Sequence, residues 1–424
     1  MLVSAAIGAA AMLPTAPESC NMLKKIPATQ LRQGMYLHAL GGAWIEHPFW
    51  RSAFLIKAQK DIDAVIGSAV SEVIIDTSKG RDVDSAITVE PETDDPPVQA
   101  AQAGPGVIEP ARTSLQVEVE RARKICQQAR VAVTSMFNEA RMGKALDTQV
   151  ATELVEEITA SVARNPGALI SIARLKTKDD YTYMHSVAVC GLMIALSNRL
   201  GLDEKQTREA GVGGLLHDLG KAMMPLDILN KPGKLTDAEF ATIRTHPKEG
   251  WRLLREGGGA SGDVLDIALH HHEKFDGSGY PHRQKGAAIC LLARMGAVCD
   301  VYDAITSNRP YKAGWDPGES VRRMASWKGH FDERVLQAFI KSIGIYPVGS
   351  LVRFDTGRLG VVIDQGDASL LRPTVKVFFS TASNQHVPVE VIDLGVASCR
   401  DRIAGIEDAT KWGFANLDEM WATA

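Results

Sequence analysis

At 424 residues the chain is too long for one ordinary hydrophobic core, so two or three domains are expected. Hydrophobic residues make up 45% and charged residues 23%, which excludes a disordered or collagen-like chain and fits a globular one. The net charge of −4 comes with no dominant basic block, which argues against a nucleic-acid binder and leaves room for a small anion held by a few local cations.

The first thirteen residues, Met1 to Leu13, are small and apolar with no Lys or Arg before them, so they lack the charge asymmetry of a signal peptide. Residues 1–22 therefore read as a flexible extension, with Met22 as an alternative start. No apolar run approaches the ~20 residues that span a bilayer. Six cysteines (Cys20, Cys126, Cys190, Cys290, Cys299 and Cys399) form no C-x-x-C pair, which fits reduced thiols in the cytoplasm.

Residues 23–88 mix strands at Tyr36–Leu40 and Val73–Asp76 with a short helix at Ala58–Ile66, and Trp44, Phe49, Trp50 and Phe54 offer a small core. This predicts a small α/β domain. Residues 89–113 are acidic, then Pro-, Ala- and Gly-rich, and read as a flexible linker. From Ser114 the periodicity turns helical, with a first stripe of Leu115, Val117, Val119, Ala122, Ile125 and Ala129. Asp147 can cap a second helix that runs toward Arg164, and Asn165-Pro166 starts another. Further helices are expected at Tyr181–Leu200, Asp203–Leu219, Ala238–Glu256, Val264–His272, Ala287–Thr306, Glu319–Ala325 and Glu333–Ile343. Thr236 and Glu239 form a capping-box pattern. Residues 114–345 thus predict an all-α domain. Period-two runs at Ser350–Phe354, Gly360–Ile363 and Val375–Phe379 predict a small β module over residues 346–395, followed by a tail over 396–424. The fold class is multidomain α+β.

Seven of the eleven histidines lie between His185 and His282, inside the helical region. His185 interrupts an apolar helix. His217-Asp218 ends the run Gly213-Gly214-Leu215-Leu216, His246 precedes Pro247, and His270-His271-His272 leads into Glu273. Asp300 and Asp303 stand on a later helix. One buried histidine is ordinarily a hydrogen-bonded core residue, and an H-D dipeptide alone says little. Several imidazoles and carboxylates on apolar helix faces need a common partner, and that chemistry suits first-row transition metals. Adjacent His217 and Asp218 suit a two-metal site, because a carboxylate can bridge two cations while its neighbour anchors one.

The runs H-D-L-G-K at His217–Lys221, H-H-E at His271–Glu273, D-G-S-G-Y-P at Asp276–Pro281 and D-V-Y-D-A-I-T-S-N-R-P-Y-K at Asp300–Lys312 resemble the HD-GYP subgroup of the HD phosphohydrolase superfamily. The likeness covers about residues 170–345. The preceding segment resembles the N-terminal domain of unknown function often fused to such modules, through Leu31-Arg32-Gln33-Gly34-Met35-Tyr36 and His47-Pro48-Phe49-Trp50.

The resemblance implies a metal-dependent phosphodiesterase that hydrolyses cyclic di-GMP in bacterial signalling. It implies His185, His217, Asp218, His246, His271, His272 and Asp300 as metal ligands, with Asp218 bridging. Two divalent transition-metal ions are expected, iron or manganese first, then cobalt, nickel or zinc. Lys221 falls near the reacting phosphorus, as a catalytic partner to Asp218. Arg309, Lys312 and Tyr280 are implied substrate contacts, although Arg309 and Lys312 also fit plain solvated surface charge. Gly279, Tyr280 and Pro281 form the eponymous loop, through which relatives bind GGDEF cyclases; as turn residues they are expected to be exposed. A dimer is one open oligomeric state.

Some members carry Glu four residues before the first histidine and hold a third metal. Here that residue is Tyr181, whose pKa near ~10 makes it a poor ligand at neutral pH. Two metals and a linear pGpG product, with slow onward cleavage to GMP at most, are therefore expected. A general nucleotide phosphohydrolase would not need the D-G-S-G-Y-P run. A non-catalytic scaffold would have lost ligands, and none is lost here.

Overall fold

The computed structural model describes residues 23–40, 54–66, 72–81, 113–144, 148–175, 181–231, 233–308, 314–366, 369–414 and 417–422. The chain divides into two units, residues 1–101 and 102–424. Residues 1–22, the linker through residue 112, Trp44, Phe49, Trp50 and Asp147 lie outside the described residues.

In the first unit, β1 (Leu23–Pro27), β2 (Tyr36–Leu40), β3 (Phe54–Leu55) and β4 (Glu72–Asp76) form an antiparallel sheet in the order β1-β4-β2-β3, with α1 at Gln59–Ile66. Alternation puts Val73 and Ile75 of β4 inside with Ile26, Leu37, Ile62 and Val65, a closed core for so short a segment.

The second unit is helical from α2 (Leu115–Arg141) through α3 (Thr148–Arg164), α4 (Pro166–Arg174), α5 (Tyr181–Leu200) and α6 (Glu204–Leu216). Asn165 caps α4 by accepting from Ala168 N, with Pro166 at the first position, and Asp203 makes a capping box on α6. A 3₁₀ turn at Leu219–Met223 follows, then α7 (Leu226–Leu229), α8 (Asp237–Ile243), α9 (His246–Gly257), α10 (Gly262–His270), α11 (Leu291–Thr306), α12 (Pro317–Ser326) and α13 (Glu333–Ile343). The single helix expected over Ala238–Glu256 is two helices. Pro247 lacks an N–H to bond the carbonyl four residues earlier, that of Ile243, and its ring crowds that carbonyl, so α8 ends at Ile243 and α9 restarts with Pro in its first turn.

The β region is larger than expected. Strands β5 (Leu351–Phe354), β6 (Arg358–Asp364), β7 (Thr374–Ser380), β8 (Gln385–Asp393) and β9 (Ile403–Ile406) make one antiparallel sheet in the order β8-β7-β6-β5-β9. The tail beyond residue 395 therefore supplies an edge strand and then two short helices, α14 (Ala409–Trp412) and α15 (Glu419–Ala422). The sheet is not a free-standing module. Leu351, Leu359, Val361, Phe378 and Trp421 join the same buried core as α2 to α6, while Val352, Phe354, Val362 and Val377 fill a second core on the other face. No helix among the described residues is long and apolar enough to cross a membrane.

Candidate metal centre

Six helical elements deliver the polar cluster. His185 sits in α5, where every residue from Met184 to Ser197 is buried. His217 caps α6, and Asp218 enters the 3₁₀ turn. His246 opens α9, His271 and His272 follow α10, and Asp300 lies mid-α11. The approach of α9 depends on Gly220: a Cβ there would lie 1.9 Å from His246 O and 2.4 Å from Gly250 N. Glycine at this position therefore brings His246 up to Asp218.

Second-layer contacts aim the rings. His217 Nδ1 lies 2.8 Å from Gly214 O, His246 Nδ1 2.7 Å from Ile243 O, and His271 Nδ1 3.0 Å from Ala268 O. A carbonyl only accepts, so each Nδ1 carries the proton and donates it, and each Nε2 presents a lone pair inward. His185 Nδ1 is held in the same way by Asp303 Oδ2 at 2.6 Å.

Several of the inward atoms find no partner among themselves. His246 Nε2 and His271 Nε2 lie 3.3 Å apart with no hydrogen to share. His217 Nε2 and Asp218 Oδ1 are buried and make no hydrogen bond. A cation accepts from all of them at once, so the donor set fits metal ions.

Asp218, 1% exposed, divides its two oxygens between two groups. Oδ1 lies 3.2 Å from His246 Nε2 and 3.8 Å from His271 Nε2. Oδ2 lies 3.4 Å from His217 Nε2 and 3.5 Å from His185 Nε2. Two ligand groups result, Asp218 with His246, His271 and His272, and Asp218 with His185 and His217. Asp300 stands between them, with Oδ1 3.0 Å from His185 Nε2 and Oδ2 3.6 Å from His272 Nδ1.

Electrostatics keep Asp218, His271 and His272 in ligand form, whereas the carboxylates around His185 favour its protonated ring. Burial alone would raise Asp218, but Lys221, His217 and His246 outweigh it and hold the carboxyl well below the usual range. Burial, reinforced by neighbouring imidazoles, pushes His271 far down. His272 falls to about 3, with burial as the main cause. Burial lowers His185, but Asp300 and Asp303 more than reverse it.

The remaining expected residues take different places. Lys221 Nζ lies 2.5 Å from Asp218 Oδ2. Tyr280 is stacked on His272, with ring centroids 4.7 Å apart. The eponymous loop is less exposed than its turn residues imply. Gly279 is buried, and a Cβ on it would lie 2.3 Å from Lys274 N and 2.6 Å from His272 O, while Tyr280 and Pro281 are half-buried. His270 faces elsewhere, with Nδ1 3.0 Å from Asp266 Oδ1 and Nε2 3.0 Å from His282 Nδ1. The Tyr181 ring lies parallel to that of His185, 6.3 Å away. Arg309 and Lys312 lie outside the described residues. Asp303 was not assigned a role from sequence, although its i,i+3 spacing from Asp300 put it on the same helical face.

Models of two families match the chain: a domain of unknown function, DUF3391, over residues 23–151, and the HD domain over residues 162–335. A cyclic di-GMP phosphodiesterase of Pseudomonas aeruginosa is 55% identical over 406 residues, covering 94% of this chain and 96% of that protein. A cyclic di-GMP phosphodiesterase response regulator of Xanthomonas campestris pv. campestris is 40% identical over 158 residues, 36% of this chain and 40% of that protein. A 3'3'-cGAMP-specific phosphodiesterase of Vibrio cholerae is 35% identical over 181 residues, 41% of this chain and 42% of that protein. With its HD and Gly-Tyr-Pro runs intact around the buried His/Asp cluster, the chain belongs to the HD-GYP family of HD-domain phosphodiesterases.

Proposed function

We propose that this protein hydrolyses cyclic di-GMP to linear pGpG at the His/Asp centre. The carrying observation is Asp218, whose two oxygens face two separate histidine groups, the arrangement a bridging carboxylate needs. The near full-length likeness to a cyclic di-GMP phosphodiesterase favours that substrate over 3'3'-cGAMP, for which the similar relative covers well under half of this chain.

His246, His271 and His272 with Asp218 would hold one divalent ion, and His185, His217 and Asp300 with Asp218 the other. Iron and manganese suit such imidazole and carboxylate donors, as do cobalt, nickel and zinc. A pair of such ions supplies Lewis acidity toward a phosphoryl group and a water of lowered pKa.

The chain's own residues do the rest. Lys221 brings a fixed ammonium to the Oδ2 side of Asp218, where it offsets negative charge that grows on the phosphoryl oxygens. Asp303 keeps His185 in its productive tautomer. Tyr280 braces His272 and offers an aromatic edge to the substrate. The inward contacts of Tyr280 and the burial of Gly279 favour a substrate-side role for this loop over docking of GGDEF cyclases. Arg309 and Lys312 remain candidates for the distal phosphate or a guanine edge.

Tyr181 stands where a third-metal carboxylate would, so turnover should stop at pGpG. The test is chromatography of products from enzyme loaded with iron or manganese. Accumulating pGpG is the expected result. No turnover of cyclic di-GMP alongside brisk hydrolysis of ordinary nucleotides would overturn the reading.

A further inference from the structure

Arg244 lies in the break between α8 and α9, two residues before His246. Its guanidinium carbon is 4.5 Å from the centre of the Tyr280 ring and 5.8 Å from that of Phe240. Tyr280 is itself stacked on His272. A short run of flat groups thus leads from a histidine of the metal centre to a guanidinium on its rim. Phe240 beside it is 49% exposed, so the rim opens to solvent on this side.

The Arg244 guanidinium makes no hydrogen bond or ion pair among the described residues. Several other arginines of the helical unit are paired. Arg252 is paired with Glu249 and Glu256, Arg294 with Asp332, and Arg322 and Arg323 with Glu319. Lys221, the other cation at the centre, is committed to Asp218. A guanidinium lying over an aromatic ring spends its π face there and keeps its N–H donors, which lie in its own plane, for an anion. The ring also restrains the side chain, so less conformational entropy is lost when a ligand binds.

Resting on the reading above, we propose that Arg244 holds the uncleaved phosphodiester of the cyclic dinucleotide while the other lies at the metal centre. A cyclic substrate carries both diesters in one small ring, so the second must sit close to the first. A partner-free, ring-stacked guanidinium beside His272 has the charge and the planar fork to receive it. Arg244 is then a substrate-binding residue, and the break that Pro247 imposes between α8 and α9 is what puts it there.

The plain competitor is that Arg244 only braces Tyr280 and, through it, His272. The two are separated by kinetics of the metal-loaded full chain and its Arg244→Ala and Arg244→Lys variants. Each is assayed on cyclic di-GMP and on bis(4-nitrophenyl) phosphate, a diester with no second phosphate, with metal content and melting temperature measured alongside. For Arg244→Ala, KM for cyclic di-GMP should rise about 10-fold or more with kcat within about three-fold. The loss in kcat/KM should be larger on cyclic di-GMP than on the small diester, and Arg244→Lys should recover part of it. An equal loss on both substrates, a fall in kcat at constant KM, or loss of bound metal would overturn the inference in favour of bracing. Wild-type turnover of cyclic di-GMP with unchanged KM in Arg244→Ala overturns this inference alone. Wild-type inactivity on cyclic di-GMP overturns the functional reading and this inference with it.

Discussion

Two buried carboxylates in the helical unit behave in opposite ways. Glu118 on α2 is fully buried and fully used. Oε1 accepts from Ser161 Oγ at 2.9 Å and Arg164 Nη2 at 2.7 Å, and Oε2 accepts from Arg164 Nε at 2.8 Å. Asp218 is equally buried, but its Oδ1 accepts nothing and faces imidazole nitrogens that are acceptors themselves. The first cluster closes its own hydrogen-bond account and ties α2 to α3. The second collects more lone pairs than protons, which is costly in apolar surroundings unless a cation completes it. The balance of donors and acceptors, rather than burial, separates a structural carboxylate from a binding centre.

The largest effect should come from Asp218→Asn, which keeps the shape and removes the bridging charge. Turnover should fall about a thousand-fold or more, ~4 kcal/mol on the barrier. Metal content should fall with it, and added metal should no longer raise the melting temperature as it does in wild type. Without metal the variant should melt lower than metal-free wild type, because Lys221 loses the carboxylate it is paired with. Unchanged turnover would erase the contrast between the two clusters.

Asp303→Asn sharpens the comparison from inside the centre. The amide oxygen can still accept from His185 Nδ1, but the charge that strengthens the ring as a donor is lost. Metal affinity should weaken about 10-fold or more, read by titration of the metal-free protein. No change would make Asp303 a packing residue. Glu118→Ala should do the reverse. It strands Arg164 and should cost about 2 kcal/mol in urea unfolding, with kcat/KM of the folded enzyme unchanged. A loss of activity without a loss of stability would place Glu118 in the wrong class.

The metal centre was legible in sequence because its chemistry is concentrated in short runs. His217-Asp218 and His271-His272 each fix two groups within one turn, and apolar neighbours announce that they point inward. Glu118 was not legible. The stripe read from Leu115 included Val117, yet Val117 is exposed and Glu118 takes the buried, in-phase position. Its partner Arg164 lies on another helix, and no local pattern links them. The loop at Gly279 misled for a related reason. Its residues are turn formers, but the close backbone approach of His272 and Lys274 is tertiary, and it requires a buried glycine where composition implies an exposed one. Arg244 gave no sequence signal beyond its place two residues before a histidine. Strand β9 was missed because Ile403–Ile406 is short and half-exposed and carries little alternation.

The smallest effect concerns pH, and it sets Glu118 against Asp316. Burial would raise Glu118, but Arg164 and Ser161 outweigh it and hold the carboxyl below its ordinary value of 4.5. A depressed native pKa means that the stabilisation is complete above 4.5 and is lost as pH falls through the native value. The stability gap between wild type and Glu118→Gln should therefore shrink on acidification below about 4.5. Asp316, which caps α12 and accepts from Leu351 N, is lifted by burial to about 6. Its sign is reversed. The native state prefers the protonated acid, so its contribution is complete below the ordinary 3.8 and declines as pH rises toward 6. The gap between wild type and Asp316→Asn should shrink on going from acid to neutral pH, opposite to Glu118. Urea midpoints of the three proteins at a series of pH values from about 3 to 7 test both signs, since the other carboxylates cancel in each difference. Parallel profiles would show that Arg164 and Ser161 do not control Glu118 and that burial does not control Asp316, and the donor count that distinguishes Glu118 from Asp218 would lose its energetic meaning.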